Sequence, residues 1–256
     1  KVWQVTHQNK YDVIIDMRST IRTLFFSLFS LKTPFRIGRI KGYTRFLLNY
    51  RTDTYSNSLT TDMVERNLLL AAPLEKIRPI QYTKEFRLYL TDQEKKDFRY
   101  YMEKEGIDFA RPVFLIGVTT KLLHKKWNTE FMITTLKRIL EEYKDIQMIF
   151  NYAPGYEEED ARNIYKELGC PERIKIDIQA SSLRQLAALC ANCSFYFGNE
   201  GGAMWLPTNS VVARGISPDD ILPPEQQATL TYEERFALIT PEKVYDQLTS
   251  TLRQLS

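Results

Sequence analysis

The stretch Val113-Phe114-Leu115-Ile116-Gly117-Val118-Thr119-Thr120-Lys121-Leu122-Leu123-His124-Lys125-Lys126-Trp127 decides how the chain is read. Its first six residues form an apolar run with β-branched members, the pattern of a strand buried on both faces of a parallel sheet. Two hydroxyls stand at the strand's end, and residues 129–142 follow as an amphipathic helix. The alternation continues downstream. Residues 146–150 read as a strand, 157–168 as a helix and 174–178 as a strand. Residues 183–191 read as a helix opened by Ser181 or Ser182, and 195–197 as a strand ending at Gly198. Such alternation implies a parallel sheet with helices on both faces, whose ligands bind in the loops leaving the strands' carboxyl ends.

Upstream the pattern is weaker. Residues 11–16 read as a short buried strand and 19–31 as a helix ended by Pro34. Residues 35–58 are polar, rich in Tyr and Arg, and expected to be loops. Residues 62–70 look helical with Thr61 as N-cap, Pro73 and Pro79 bracket a linker, and 85–90 alternate like a strand. Thr91-Asp92-Gln93-Glu94 is a capping box opening a helix to about residue 105. The domain boundary is expected between Gly106 and Pro112, dividing the chain into 1–109 and 110–256.

At 256 residues the chain can bury one large or two small cores. Its 43% hydrophobic and 26% charged residues exclude disordered, collagenous and disulfide-framework classes. No run approaches the ~20 apolar residues of a membrane span. Residues 1–5 read like the middle of a strand rather than a signal peptide. A cytoplasmic protein, or one whose true N-terminus lies further upstream, is expected. Three cysteines, Cys170, Cys190 and Cys193, give no disulfide framework, and Cys190-Ala191-Asn192-Cys193 reads as two core-facing thiols. With only His7 and His124, a histidine-built metal site is not expected.

The net charge of +3 conceals an asymmetry, since residues 1–50 hold nine basic side chains against two acidic ones. A basic segment of this kind suits an anionic partner, although scattered surface charge reads the same way. Nucleic acid is not expected, because no helix-turn-helix, RNP or zinc-finger pattern accompanies it.

Three loops could carry chemistry. In the first, Thr119, Thr120 and the lysines before Trp127 suit a diphosphate, or equally a capped helix with solvated lysines. In the second, Glu157 lies in an acidic first helical turn, where dipole complementation is the ordinary role and a ribose contact the sharper one. The third is Gly198-Asn199-Glu200-Gly201-Gly202. Its glycines admit close backbone approach, and Asn199 and Glu200 bring hydrogen-bonding groups suited to sugar hydroxyls. Neither G-x-G-x-x-G nor G-x-x-x-x-G-K-[ST] is present.

In this order the motifs resemble glycosyltransferase family 9, the lipopolysaccharide heptosyltransferases. The resemblance rests on Tyr11-Asp12-Val13-Ile14-Ile15-Asp16-Met17-Arg18-Ser19-Thr20, Arg36-Ile37-Gly38, Lys125-Lys126-Trp127 as K-x-W, Glu157 with Ala161, and the turn from Gly198 to Gly202. It implies a GT-B fold, two Rossmann-like α/β domains facing each other across a cleft. Residues 1–109 would form the acceptor side and 110–256 the donor side, with the last helix packing back on the first domain. It further implies an inverting, metal-independent transfer from an ADP-sugar, ADP-heptose above all, to the anionic lipid-linked inner core, with no cofactor. Such an enzyme would be cytoplasmic, peripheral on the inner face of the membrane.

Carried over, the resemblance places Thr119, Thr120 and Lys125 on the donor diphosphate, with Lys126 the neighbouring alternative in a loop one residue longer. It puts Glu157 on the ribose, Glu200 and Asn199 at the sugar, Gly201 and Gly202 near the diphosphate, and Asp16 and Arg18 at the acceptor. Lys125 and Glu200 would be the catalytic groups. The family's Gly-Asp loop, whose Asp is the general base, would precede Lys1. Its His-bearing helix would fall between Ala203 and Met204. A sugar-nucleotide epimerase or hydrolase on this fold, or a non-catalytic binding module, are the other readings.

Overall fold

The computed structural model describes residues 1–54, 63–84, 88–199, 216–227 and 229–255. The chain forms two compact units, Lys1–Glu85 and Phe86–Ser256. This division lies upstream of the expected boundary at 109/110. The reason is packing: the helix that opens the second unit buries Phe98 and Met102 against core residues of that unit.

In the first unit, β1 (Val13–Asp16), β2 (Phe35–Arg39) and β3 (Tyr50–Thr52) form a parallel sheet in that order. Helix α1 (Val2–Gln8) precedes β1, and α2 (Ile21–Leu28) joins β1 to β2. Residues 2–5 are therefore helical, not a strand. Trp3 and His7, one turn apart, stack with centroids 4.5 Å apart, a contact that only a helix gives to residues four apart. Residues 35–58, expected as loops, contribute both β2 and β3. Their arginines hid the pattern. Arg36 donates from Nε to Leu47 O (2.9 Å) and from Nη1 to Leu31 O (2.8 Å) and Thr33 O (2.6 Å), so its charge is spent on local carbonyls. Helix α3 (Met63–Leu68) runs into a 3-10 stretch, Leu69–Lys76. The expected N-cap Thr61 lies outside the described residues.

The second unit follows the predicted alternation. It contains α4 (Asp92–Lys104), β4 (Val113–Gly117), α5 (Thr129–Glu142), β5 (Gln147–Phe150), α6 (Tyr156–Glu167), β6 (Ile174–Lys175), α7 (Leu183–Ala191) and β7 (Phe195–Gly198). Helices α8 (Pro224–Gln227), α9 (Tyr232–Ala237) and α10 (Pro241–Leu255) close it. The parallel strands are ordered β6-β5-β4-β7. Strand β6 is shorter than the expected 174–178. Residues 85–87 of the expected strand 85–90 lie outside the described residues, and 88–90 are not in a strand.

Strand β4 explains the unbroken apolar run. Phe114 and Ile116 face one core with α5, α6 and α10, while Val113 and Leu115 face a second core with α4 and α7. Helix α10 buries Val244, Tyr245, Leu248 and Leu252 in the first of these cores, so the last helix spends its apolar face within its own unit. Cys190 and Cys193 sit in the second core as free thiols, as read from the sequence. Burial pushes Cys190 up to about 12 and Cys193 well above the ordinary thiol range, which keeps both protonated and unreactive.

The capping box at Thr91 forms as expected, with Thr91 N donating to Glu94 Oε2 at 2.8 Å and Glu94 N to Thr91 Oγ1 at 3.2 Å. Arg184 of α7 adds a fork onto the same carboxylate, 2.6 Å from Nε to Oε1 and 2.7 Å from Nη2 to Oε2. Those bonds, chiefly Arg184's and then Thr91's, hold Glu94 at about 2. A depressed carboxyl contributes stability above its unfolded value and loses it as pH falls toward the folded one. We expect Glu94→Gln to lower stability at pH 6 and the difference to shrink as pH falls toward 2. Denaturant titrations across that range check it, and a gap that persists unchanged at pH 2.5 contradicts it.

Candidate active site at the carboxyl ends of the second sheet

The loops leaving β4, β5 and β7 meet at one end of the second sheet. Residues 118–128 leave β4 and pass through a 3-10 turn, Leu123–Lys125, before Asn128 caps α5. The Asn128 side chain accepts from Glu130 N (2.8 Å) and Phe131 N (3.2 Å). Three contacts tie this loop to the start of α6. Thr119 Oγ1 donates to Glu157 Oε2 at 2.9 Å, Tyr156 Oη donates to Thr120 O (3.0 Å) and Lys121 O (2.5 Å), and Lys126 Nζ pairs with Asp160 Oδ2 at 2.6 Å. Burial, then the Glu157 and Asp160 carboxylates, raise Tyr156 above the ordinary phenol value, so it stays a hydrogen-bond donor.

Glu157 is only 8% exposed and Thr119 7%. A carboxylate can accept several hydrogen bonds, yet among the described residues this one takes a single hydrogen bond, from Thr119. A buried, under-satisfied carboxylate at a helix start beside a strand end is set up to receive hydroxyl donors. Dipole complementation alone does not require this burial.

Asn199, expected at the sugar, has another role. Its Oδ1 accepts from Trp127 N at 2.6 Å, and its Nδ2 donates to Gly117 O (3.1 Å) and Val118 O (3.0 Å). Its backbone N donates to Gly117 O at 2.9 Å, and Tyr196 Oη donates to its carbonyl at 3.0 Å. Both amide hydrogens are used and the residue is 5% exposed, so Asn199 clamps the β4 loop to the end of β7. Glu200, Gly201 and Gly202 lie outside the described residues, as do Ala203 and Met204.

Lys125 and Lys126 differ in surroundings. Lys126 is held on Asp160 of α6, its side chain 17% exposed. Lys125 sits on the 3-10 turn one residue earlier. Sequence reading missed the structural weight of Tyr156, Asp160 and Trp127. Each acts through partners on another loop, and spacing along the chain carries no signal for that.

In the first unit, Asp16 and Arg18 stand where β1 ends. Asp16 accepts from Ser19 N (2.7 Å) and Arg18 N (3.2 Å) at Oδ1, and from Thr23 Oγ1 (2.7 Å) at Oδ2. Its carboxylate therefore braces the turn into α2, in which Ser19 adopts φ 47°. Arg18 leaves its side chain exposed, and Lys41 Nζ donates to Arg18 O at 3.1 Å. Of the pair expected at the acceptor, Arg18 presents charge to solvent and Asp16 is consumed by the fold. Among the described residues, no three His, Cys, Asp or Glu side chains gather as a metal site, and no helix is long and apolar enough to cross a membrane.

Two parallel α/β units of this kind are the architecture of GT-B glycosyltransferases. The family described as glycosyltransferase family 9 (heptosyltransferase) matches residues 1–210, and the chain belongs to it. No curated protein matches.

Among solved structures the chain is similar to E. coli ADP-heptose lps heptosyltransferase II. The two share 16% identity and a TM-score of 0.68 over 98% of this chain and 80% of that one. It is also similar to a family 9 glycosyl transferase from Veillonella parvula DSM 2008, at 13% identity and a TM-score of 0.72 over 99% and 78%. A third is E. coli heptosyltransferase WaaC with ADP-2-deoxy-2-fluoro heptose, at 12% identity and a TM-score of 0.59 over 97% and 75%.

Proposed function

We propose that this glycosyltransferase moves a heptose, or a closely related sugar, from an ADP-sugar to an anionic lipid-linked saccharide of the lipopolysaccharide inner core. The observation that carries the reading is the buried Glu157–Thr119 pair beside the lysine-bearing loop that leaves β4. Glu157 offers acceptors to a ribose, and the loop's lysines offer ammonium groups suited to a diphosphate. The donor class follows from the family and from the E. coli enzymes, one described as an ADP-heptose heptosyltransferase and one as bound to an ADP-heptose analogue.

In this reading an acceptor hydroxyl gives its proton to a general base and attacks the anomeric carbon from the face opposite the departing ADP, which inverts the centre. The bond to the diphosphate oxygen breaks, and Lys125 neutralises the charge that develops there. A lysine in this place does electrostatic work for which other transferases employ a divalent cation, so the transfer is proposed to need no metal and no cofactor. Glu200 is proposed at the sugar, with Gly201 and Gly202 beside the diphosphate and Thr120 on the same loop. Arg18 and the other exposed basic side chains of the first fifty residues, such as Arg22 and Arg45, would meet the acceptor's anionic groups. A lipid-linked acceptor would place the protein at the inner face of the cytoplasmic membrane.

The test is transfer from ADP-heptose to a heptose-deficient inner-core acceptor, with and without EDTA. Transfer that survives EDTA, with an inverted product linkage, supports the reading. Transfer dependent on added magnesium or manganese overturns its metal-independent part, and ADP binding without any turnover favours a binding module. Within it, Glu157→Gln is expected to weaken ADP binding by roughly 10- to 100-fold, the value of charge-assisted bonds to two ribose hydroxyls. Calorimetry measures this, and an unchanged affinity removes Glu157 from the site.

A further inference from the structure

We infer that Thr119 is a positioning residue for the Glu157 carboxylate and serves the ribose end of the donor, rather than contacting the diphosphate. This rests on the ADP-sugar reading above and assigns one of its side chains a different task. A threonine hydroxyl has one hydrogen and two lone pairs. That hydrogen lies on Glu157 Oε2 at 2.9 Å. With it committed, Thr119 can offer a phosphate oxygen only lone pairs, which an anion repels. A phosphate contact would require breaking the bond that supports a carboxylate only 8% exposed. Leaving such a carboxylate without its donor is the costlier arrangement.

The surroundings favour the same division of labour. Tyr156 Oη and Lys126 Nζ also join the β4 loop to α6, so two further tethers hold the elements that carry Thr119 and Glu157. Rotating Thr119 towards a phosphate would have to happen inside this fixed frame. Donation from Thr119 fixes which way the carboxylate plane faces, and thus how its remaining lone pairs meet two neighbouring ribose hydroxyls. The anionic end of the donor is then left to the lysines and backbone amides of the loop.

The test is a double-mutant cycle on the full chain, read by calorimetry with ADP and 2′-deoxy-ADP as probes. Thr119→Val keeps the shape and removes the donor, and is expected to weaken ADP binding about tenfold. Thr119→Ser, which keeps the hydroxyl, is expected to stay within about threefold. In a Glu157→Ala background, Thr119→Val should cost less than about twofold, because the carboxylate it positions is gone. Thr119→Val should also narrow the preference for ADP over 2′-deoxy-ADP, which a purely structural role would leave unchanged. Thr119→Ala repeats the cycle should the valine variant fold poorly. An equal loss with and without Glu157 overturns the inference and returns Thr119 to the phosphate. A parent chain that binds no ADP overturns the donor reading together with this one.

Discussion

Replacing Gly198 with alanine is expected to lower the stability of the second unit by about 3 kcal/mol or more, and to abolish donor binding with it. Gly198 ends β7 opposite Gly117 of β4 in the parallel register. A Cβ there would lie 2.5 Å from Gly117 N and 2.6 Å from its Cα, with Gly117 O closer still. All three atoms belong to the backbone of a central strand whose ladder bonds leave it nowhere to move. Its φ of 152° adds strain for any residue with a side chain. The clash also falls on the oxygen that accepts from Asn199 N and Nδ2, so the clamp between the β4 loop and β7 would open at the same time.

Gly155→Ala is the control. That residue also has a positive φ, 96°, but a Cβ there meets nothing within 4 Å. About 1 kcal/mol is expected, from backbone conformation alone. Urea titrations should show the Gly198→Ala midpoint shifted at an unchanged slope. A loss below about 1 kcal/mol would mean that β7 slides freely past β4, contrary to the geometry.

The second unit was legible because its strands are buried on both faces and its helices carry caps. Phe114 and Ile116 on one side of β4, and Val113 and Leu115 on the other, leave a short apolar run whose length and β-branched residues mark a strand buried on both faces. The first unit was less legible for a physical reason. β2 places Arg36 and Arg39 among Ile37 and Gly38, and both guanidiniums turn back to the chain. Arg39 Nε donates to Met17 O at 2.8 Å, so a charged residue is buried where periodicity predicts surface. The apolar spacing of Val2, Trp3 and Val5 fitted a strand as well as a helix, and the Trp3–His7 stack decided between them.

Thr119 and Glu157 stood out in the sequence because a strand end followed by a helix start is where such folds place ligands, and the structure joins the two side chains by a hydrogen bond. The role of Asn199 was not readable. Its partners are Gly117 O, Val118 O and Trp127 N, backbone groups more than seventy residues away in sequence, which carry no side-chain signature.

Trp127 links that clamp to the core, and Trp127→Ala is expected to cost about 3–5 kcal/mol, the range for emptying a buried aromatic site. The indole is 7% exposed and meets Phe131 and Phe197 edge-on, with ring centroids 6.1 Å and 6.2 Å away. Its Nε1 donates to Ile239 O at 2.8 Å, tying the end of the β4 loop to the segment between α9 and α10. Its backbone N–H is the one that Asn199 Oδ1 accepts.

The alanine variant keeps that backbone bond but loses the anchor beneath it, leaving Lys125 and Lys126 on a loop fixed at one end fewer. Donor affinity should therefore fall even at temperatures where the variant remains folded. Trp127→Phe separates the two contributions. It retains most of the packing and strands the Ile239 carbonyl, for an expected cost of about 1–3 kcal/mol and a smaller loss of affinity. Chemical denaturation and ADP calorimetry on the same samples measure both quantities. If the alanine variant bound ADP as tightly as the parent chain while losing the full stability, the indole would support the core alone. The loop's geometry would then have to come from Asn199 and the α6 tethers.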